Sequence, residues 1–214
     1  MTVHVRPALL SHSLLPKLPQ KHVTPLGRIV FGALCSPREN PNSGEVEWNL
    51  GFVLPVAESE SILEAIEQAL ATKRATDPRF PSANDKLKMP YRMSTKKLED
   101  GSREDDPDNL LFNFKRKAHY RSKTGETETR TRPALYDSRG MVVTETVSNI
   151  PGGSTGKVVF EVYVYDMPGS KGVQLQLHGF QIAELKTNQV ELQPIEGGWI
   201  SEEADPIAAA LAAS

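Results

Sequence analysis

Between Phe112 and Arg132 the chain carries seven Lys/Arg, namely Lys115, Arg116, Lys117, Arg121, Lys123, Arg130 and Arg132, against two acids, Glu126 and Glu128. Phe112 to Lys123 reads as a strand, Lys123–Glu126 as a turn and Thr127–Tyr136 as a return strand. With a period of two, Phe112, Phe114, Arg116 and Tyr120 share one face, while Lys115, Lys117, His119 and Arg121 share the other. A row of cations beside rings suits a phosphate backbone whose bases stack on the rings. The same pattern also fits a hairpin with a solvated cationic edge, which discourages pairing between copies. Further cations that could join such a site are Arg28, Lys88, Arg92, Arg130 and Arg132, and further rings are Tyr91, Tyr120, Tyr163 and Tyr165. Should the ring face be the exposed one, Arg116 and Tyr120 take the place of Lys115 and Lys117.

Other chemistries find little support. The five histidines (His4, His12, His22, His119, His178) are scattered, and Cys35 stands alone, so no metal-ligand spacing and no intramolecular disulfide arise. No nucleophile–base pair stands out, so neither enzyme activity nor a cofactor is expected. Gly152-Gly153-Ser154-Thr155-Gly156-Lys157 looks like a phosphate loop, but Pro151 fills the position of its first glycine and Val158 replaces the magnesium-binding hydroxyl. No apolar run approaches the ~20 residues of a membrane span.

Charge is unevenly spread. Residues 1–38 hold five cations and no acid, whereas residues 187–214 hold five acids and no Lys or Arg. The whole chain is at −2, so the body without that end stands at +3. A basic body with an acidic end fits a nucleic-acid binder whose tail competes for its own groove, and fits equally a solubilising tail.

The elements that must position these residues are mostly strands. Residues 1–25 hold four prolines and read as an irregular basic arm. Gly27–Leu34 and Val46–Leu54 read as strands, the second with Val46, Trp48, Leu50, Phe52 and Leu54 on one face, which places Trp48 in the core. Glu58–Arg74 reads as a helix, with Ile62, Leu63, Ile66, Ala69 and Leu70 as its apolar stripe and Ser61 with Glu64 as a capping box. Residues 75–108 read as a long connection, its half from Lys86 to Lys97 basic and its half from Glu99 to Asp108 acidic. Val158–Tyr165 alternates as a strand with Tyr163 and Tyr165 outward. Gly172–Leu185 changes phase at His178-Gly179, which predicts a bulge that bends one strand around a small closed barrel.

The order of these pieces resembles the single-stranded DNA-binding proteins of T-seven-like bacteriophages. The resemblance runs from about Gly27 to Lys186. It rests on Phe112-x-Phe114-Lys115, the turn Lys123 to Thr127, Asp137-Ser138-Arg139-Gly140, Ile150-Pro151-Gly152-Gly153-Ser154, and Val173 to Leu177 leading into Ala183-Glu184-Leu185. It implies an all-β-dominated chain: a five-stranded OB-fold barrel over residues 26–186, with one α-helix after the second strand and long loops. It also implies that the chain coats single-stranded DNA in the cytoplasm of an infected bacterial host, as a possible homodimer. The tail 187–214, with Glu196, Trp199, Glu202, Glu203 and Asp205, would then engage replisome proteins such as a polymerase or primase-helicase. An interaction module without nucleic acid, or an RNA-binding OB protein, are the alternatives.

Overall fold

The computed structural model describes residues 20–41, 43–98, 100–121, 125–145 and 147–186, residue 121 by its backbone. In chain order its elements are β1 (Lys21–Val23), β2 (Gly27–Gly32), β3 (Arg38–Glu39), β4 (Val46–Pro55), α1 (Glu60–Thr76), β5 (Tyr91–Lys97), β6 (Arg103–Lys117), β7 (His119–Arg121), β8 (Thr127–Thr129), β9 (Ala134–Tyr136), β10 (Thr155–Met167) and β11 (Ser170–Glu184).

Five of these strands close a barrel in the order β2-β4-β6-β11-β10, with β10 returning to β2 at Thr155↔Arg28 and Gly156↔Gly27. Every neighbour in the ring is antiparallel except β6 and β11, which run parallel. One parallel pair in a five-stranded closed barrel is the topology of an OB fold. Alternation fills the interior: Leu50, Phe52, Leu54, Phe112, Phe114, Val158, Phe160, Leu175 and Leu177 are all at most 1% exposed. Edge-on ring contacts join Phe52 to Phe114 and Phe180, and Phe114 to Phe160. Trp48 is buried, as its phase requires.

Helix α1 lays Ile62, Ala65, Ile66 and Leu70 against this core. Its N-terminus differs from the predicted capping box. Ser59 is the N-cap residue, and its hydroxyl donates to the Pro55 carbonyl rather than capping a helix amide. Ser61 lies inside the first turn, because the three-residue 3-10 turn Val56–Glu58 consumes the residues that precede it.

Three further differences follow from pairings between distant residues. The arm drawn as irregular to residue 25 contains β1, which pairs with β10 and stacks His22 on Phe160 at 5.4 Å. Thr24 clamps it by accepting the Val158 amide on its hydroxyl. The long connection 75–108 contains a hairpin: β5 pairs with the first half of β6, bringing Lys96 opposite Glu104 with an ion pair of 3.5 Å. The basic and acidic halves are thus cross-strand partners. Finally, residues 127–136 do not return along β6. Ala118 turns inward, β7 pairs with β8 in a separate two-stranded ribbon, and β9 runs parallel to β11.

The predicted bulge is present, with His178 as the extra residue between Leu177↔Phe160 and Gly179↔Val159. It aims His178 at Glu161, 3.2 Å away, and at Arg116, whose Nη1 lies 3.4 Å from Nδ1. Burial pushes the His178 imidazole below its ordinary value; Arg116 and Lys21 add to the shift and Glu161 opposes it. The unfolded chain therefore takes up this proton more readily than the folded one. The stabilisation is complete above about pH 6.5, the unfolded value, and is lost as pH falls through the folded pKa. The melting temperature is expected to fall by a few degrees from about pH 7 to about pH 5, and less so in His178→Gln. An identical pH profile in the variant would dismiss His178 as the cause.

Candidate nucleic-acid interface

The outward side of β4, β6 and β11 forms the floor of a groove of about 1050 Å³. One wall is the loop holding β3, with Glu39 and Glu45; the other is the tip of the β10–β11 hairpin, where β10 ends in Tyr165, Asp166 and Met167. This is the face and these are the loops that OB folds use for oligonucleotides and oligosaccharides.

Of the residues singled out from sequence, the groove gathers Lys88, Arg92, Lys115, Lys117, Arg130, Tyr163 and Tyr165. Lys115 and Lys117 point outward while Phe112 and Phe114 are sealed inside, which settles the two-face ambiguity for this strand. Arg116 occupies the inward face and reaches toward the Leu177 carbonyl at 3.5 Å. Tyr163, half exposed at 50%, offers an open ring.

Other candidates lie elsewhere. Arg28 sits at the β2–β10 seam, outside the groove lining. Tyr91 is half-buried with its ring packed on Phe112 at 5.8 Å, and burial raises its pKa. Tyr120 stands on the β7–β8 ribbon, where its hydroxyl donates to Glu128 and Arg130 covers its ring at 4.6 Å. Exposed Arg132 lies toward Cys35, whose raised pKa it partly pulls back. The side chain of Arg121 and the tail positions Glu196, Trp199, Glu202, Glu203 and Asp205 fall outside the described residues.

The cationic row is less bare than its sequence suggests. Lys115 contacts Glu47 at 3.2 Å, and Lys117 contacts Glu45. Glu47 is almost fully buried and is held by the Asn40 amide at 2.9 Å. Lys88 and Arg92, both exposed, have no ion-pair partner among the described residues.

Two backbone devices position the site. Residues 87–90 cross the barrel as a strap: the Lys88 amide donates to the Lys171 carbonyl and the Val173 amide donates to the Lys88 carbonyl, both at 2.9 Å. Gly172 permits this, since a Cβ there would overlap the Lys88 carbonyl. The second device exposes Phe31, an aromatic groove residue that the sequence reading missed. The β2–β4 register shifts between Ile29 and Phe31, so Phe31 leaves the inward phase of Ile29 and lays its ring on Gly51, remaining 45% exposed. The available signal was Gly51, a glycine in mid-strand that marks a close approach.

Compared with solved structures, the fold matches the single-stranded DNA-binding protein gp2.5 of bacteriophage T7 with a TM-score of 0.56 at 21% identity, over 82% of this chain and 98% of that one. This chain has the fold of phage single-stranded DNA-binding proteins. The single-stranded DNA-binding protein of bacteriophage Enc34, in complex with ssDNA, shares that fold with a TM-score of 0.54 at 14% identity, over 78% of this chain and 88% of the other. A C-terminal truncation of the Enc34 protein matches at 0.53 and 12% identity, over 83% and 98%. No protein-family profile and no curated protein matches the sequence. Among the described residues no group of three or more His, Cys, Asp or Glu is placed to hold a metal ion, and no helix is long and apolar enough to cross a membrane.

Proposed function

We propose that this chain binds single-stranded DNA without sequence specificity and coats it during phage DNA replication, recombination and annealing, acting as a binding protein rather than an enzyme. The observation that carries this reading is the groove itself: Lys88, Arg92, Lys115, Lys117 and Arg130 converge with the open rings of Phe31 and Tyr163 on the ligand face of an OB barrel. Cations track the backbone, and rings stack any base because every base has a π-face. The fold shared with the Enc34 protein in complex with ssDNA supports the same reading. The setting is the cytoplasm of an infected bacterial host, with residues 26–186 as the binding domain, 1–25 as a basic arm and 187–214 as an acidic tail. The tail competes for the groove and contacts replisome proteins, and two copies pair as a homodimer.

Fluorescence anisotropy with labelled oligo-dT at several salt concentrations tests the reading. Five groove cations give a log–log salt slope of at most about −3.5, at about 0.7 per phosphate contact. Changing Lys88→Gln and Arg92→Gln together is expected to flatten the slope by about 1.4. A slope that does not move would remove both residues from the site. One observation favours a protein-interaction module instead, namely that Glu45 and Glu47 already occupy Lys117 and Lys115. Failure to bind oligo-dT even at about 50 mM salt, where phosphate contacts are strongest, decides for that module.

A further inference from the structure

Four amide side chains lie half-buried on the groove floor: Asn49, Asn113, Gln174 and Gln176. Among the described residues none of their side chains has an intramolecular hydrogen-bond partner. Their polar atoms are not sealed from solvent, so their donors and acceptors face the groove and are free to bond what enters it. Phosphate is a poor match, because it accepts only and would leave every amide oxygen unanswered. The edge of an unpaired base offers both donors and acceptors and matches an amide in two-point contacts.

Strand register arranges two of these amides between two rings. Gly51, which carries the Phe31 ring, pairs with Asn113 across β4 and β6. Leu175↔Phe114 sets Gln174 beside Asn113, and Gln174 pairs with Tyr163 across β11 and β10. The row therefore runs ring, amide, amide, ring, over three strand spacings or roughly 14 Å.

Resting on the function proposed above, we infer that Asn113 and Gln174 hydrogen-bond the Watson–Crick edges of bases stacked on Phe31 and Tyr163. The groove would then select strands whose base edges are free. An amide can present either its oxygen or its nitrogen, so this contact demands an unpaired base without choosing which base. Paired bases in a duplex have those edges occupied. Rejection of duplex is then a property of the floor as well as of the groove's width.

The test uses the full chain and two labelled oligomers of equal length and charge: oligo-dT and an abasic deoxyribose-phosphate strand. The wild type is expected to bind oligo-dT more tightly. The Asn113→Ala/Gln174→Ala double variant is expected to lose about tenfold for oligo-dT, the size of two neutral hydrogen bonds, while its affinity for the abasic strand stays unchanged. Equal losses on both oligomers, or no loss on either, overturn the inference and leave single-strand binding intact. A wild type that binds neither oligomer overturns the function reading as well. If the double variant does not fold, Gln174→Met keeps the side chain's length without its polar atoms, and is read by the same difference between the two oligomers.

Discussion

Replacing Phe31 and Tyr163 together by alanine is expected to weaken oligo-dT binding roughly 30- to 1,000-fold, from about 1–2 kcal/mol for each ring. That is the lower part of the range for base stacking, because both rings already shield one face against the protein. Phe31 rests on Gly51, and Tyr163 stands beside Gln174 on the neighbouring strand. Each is about half buried, so truncation also removes apolar contact and the melting temperature should fall by several degrees, and affinities are compared well below the lower midpoint. The affinity ratio by anisotropy, with thermal melting as the control, checks the prediction. A drop of under about threefold would mean that neither ring stacks a base.

The second large effect is structural. Gly172→Ala places a methyl group against the Lys88 carbonyl, which is backbone and cannot swing aside. The strap 87–90 must lift, straining or breaking the two hydrogen bonds that Lys88 makes with Lys171 and Val173. Overpacking costs about 1–3 kcal/mol and each lost hydrogen bond about 1 kcal/mol more. The melting temperature is expected to fall by roughly 5–15 °C for a body of this size. Oligo-dT affinity falls with it, because Lys88 and the adjoining Arg92 lose their seat over the groove. Lys88→Gln separates the two consequences: it should weaken binding and leave melting alone. A Gly172→Ala protein that melts like the wild type would show that the strap is not pinned there.

Where the physical rule was local, the sequence was legible. Alternation placed Trp48 inside with Leu50 and Phe52, and the phase change at His178-Gly179 located the bulge, whereas Phe112 and Phe114 were assigned a common face whose inward direction only the barrel fixes. The groove's cations on β6 could be read because the chain between Leu110 and Lys117 is a regular strand. What escaped depended on partners far away in the chain. Lys96 and Glu104 belong to separate charge runs, and only pairing β5 with β6 turns them into a hairpin. Thr127–Tyr136 has the composition of a return strand, but Ala118 breaks β6 and sends β9 to β11. Phe31 was hidden by a register shift in β2, and Tyr91 looked free until Phe112 was seen beneath it. The amides of the floor carry no charge and no ring, so nothing in their residue type distinguished them from ordinary strand surface.

The carboxylate of Glu47 shapes how any polyanion is received. Buried and tethered to Asn40, it stays beside Lys115 when a phosphate approaches, while Glu45, exposed on the loop, pairs with Lys117 from the solvent side. Under the proposed function, a phosphate that takes either lysine would part it from its resident acid, which would then recruit its own sodium or potassium ion. Fewer ions are liberated than contacts are made, so an ionic-strength titration undercounts the true footprint. The same exchange leaves a ready-made replacement beside each lysine when the strand departs, so that peeling the polymer away exposes no bare charge at either position.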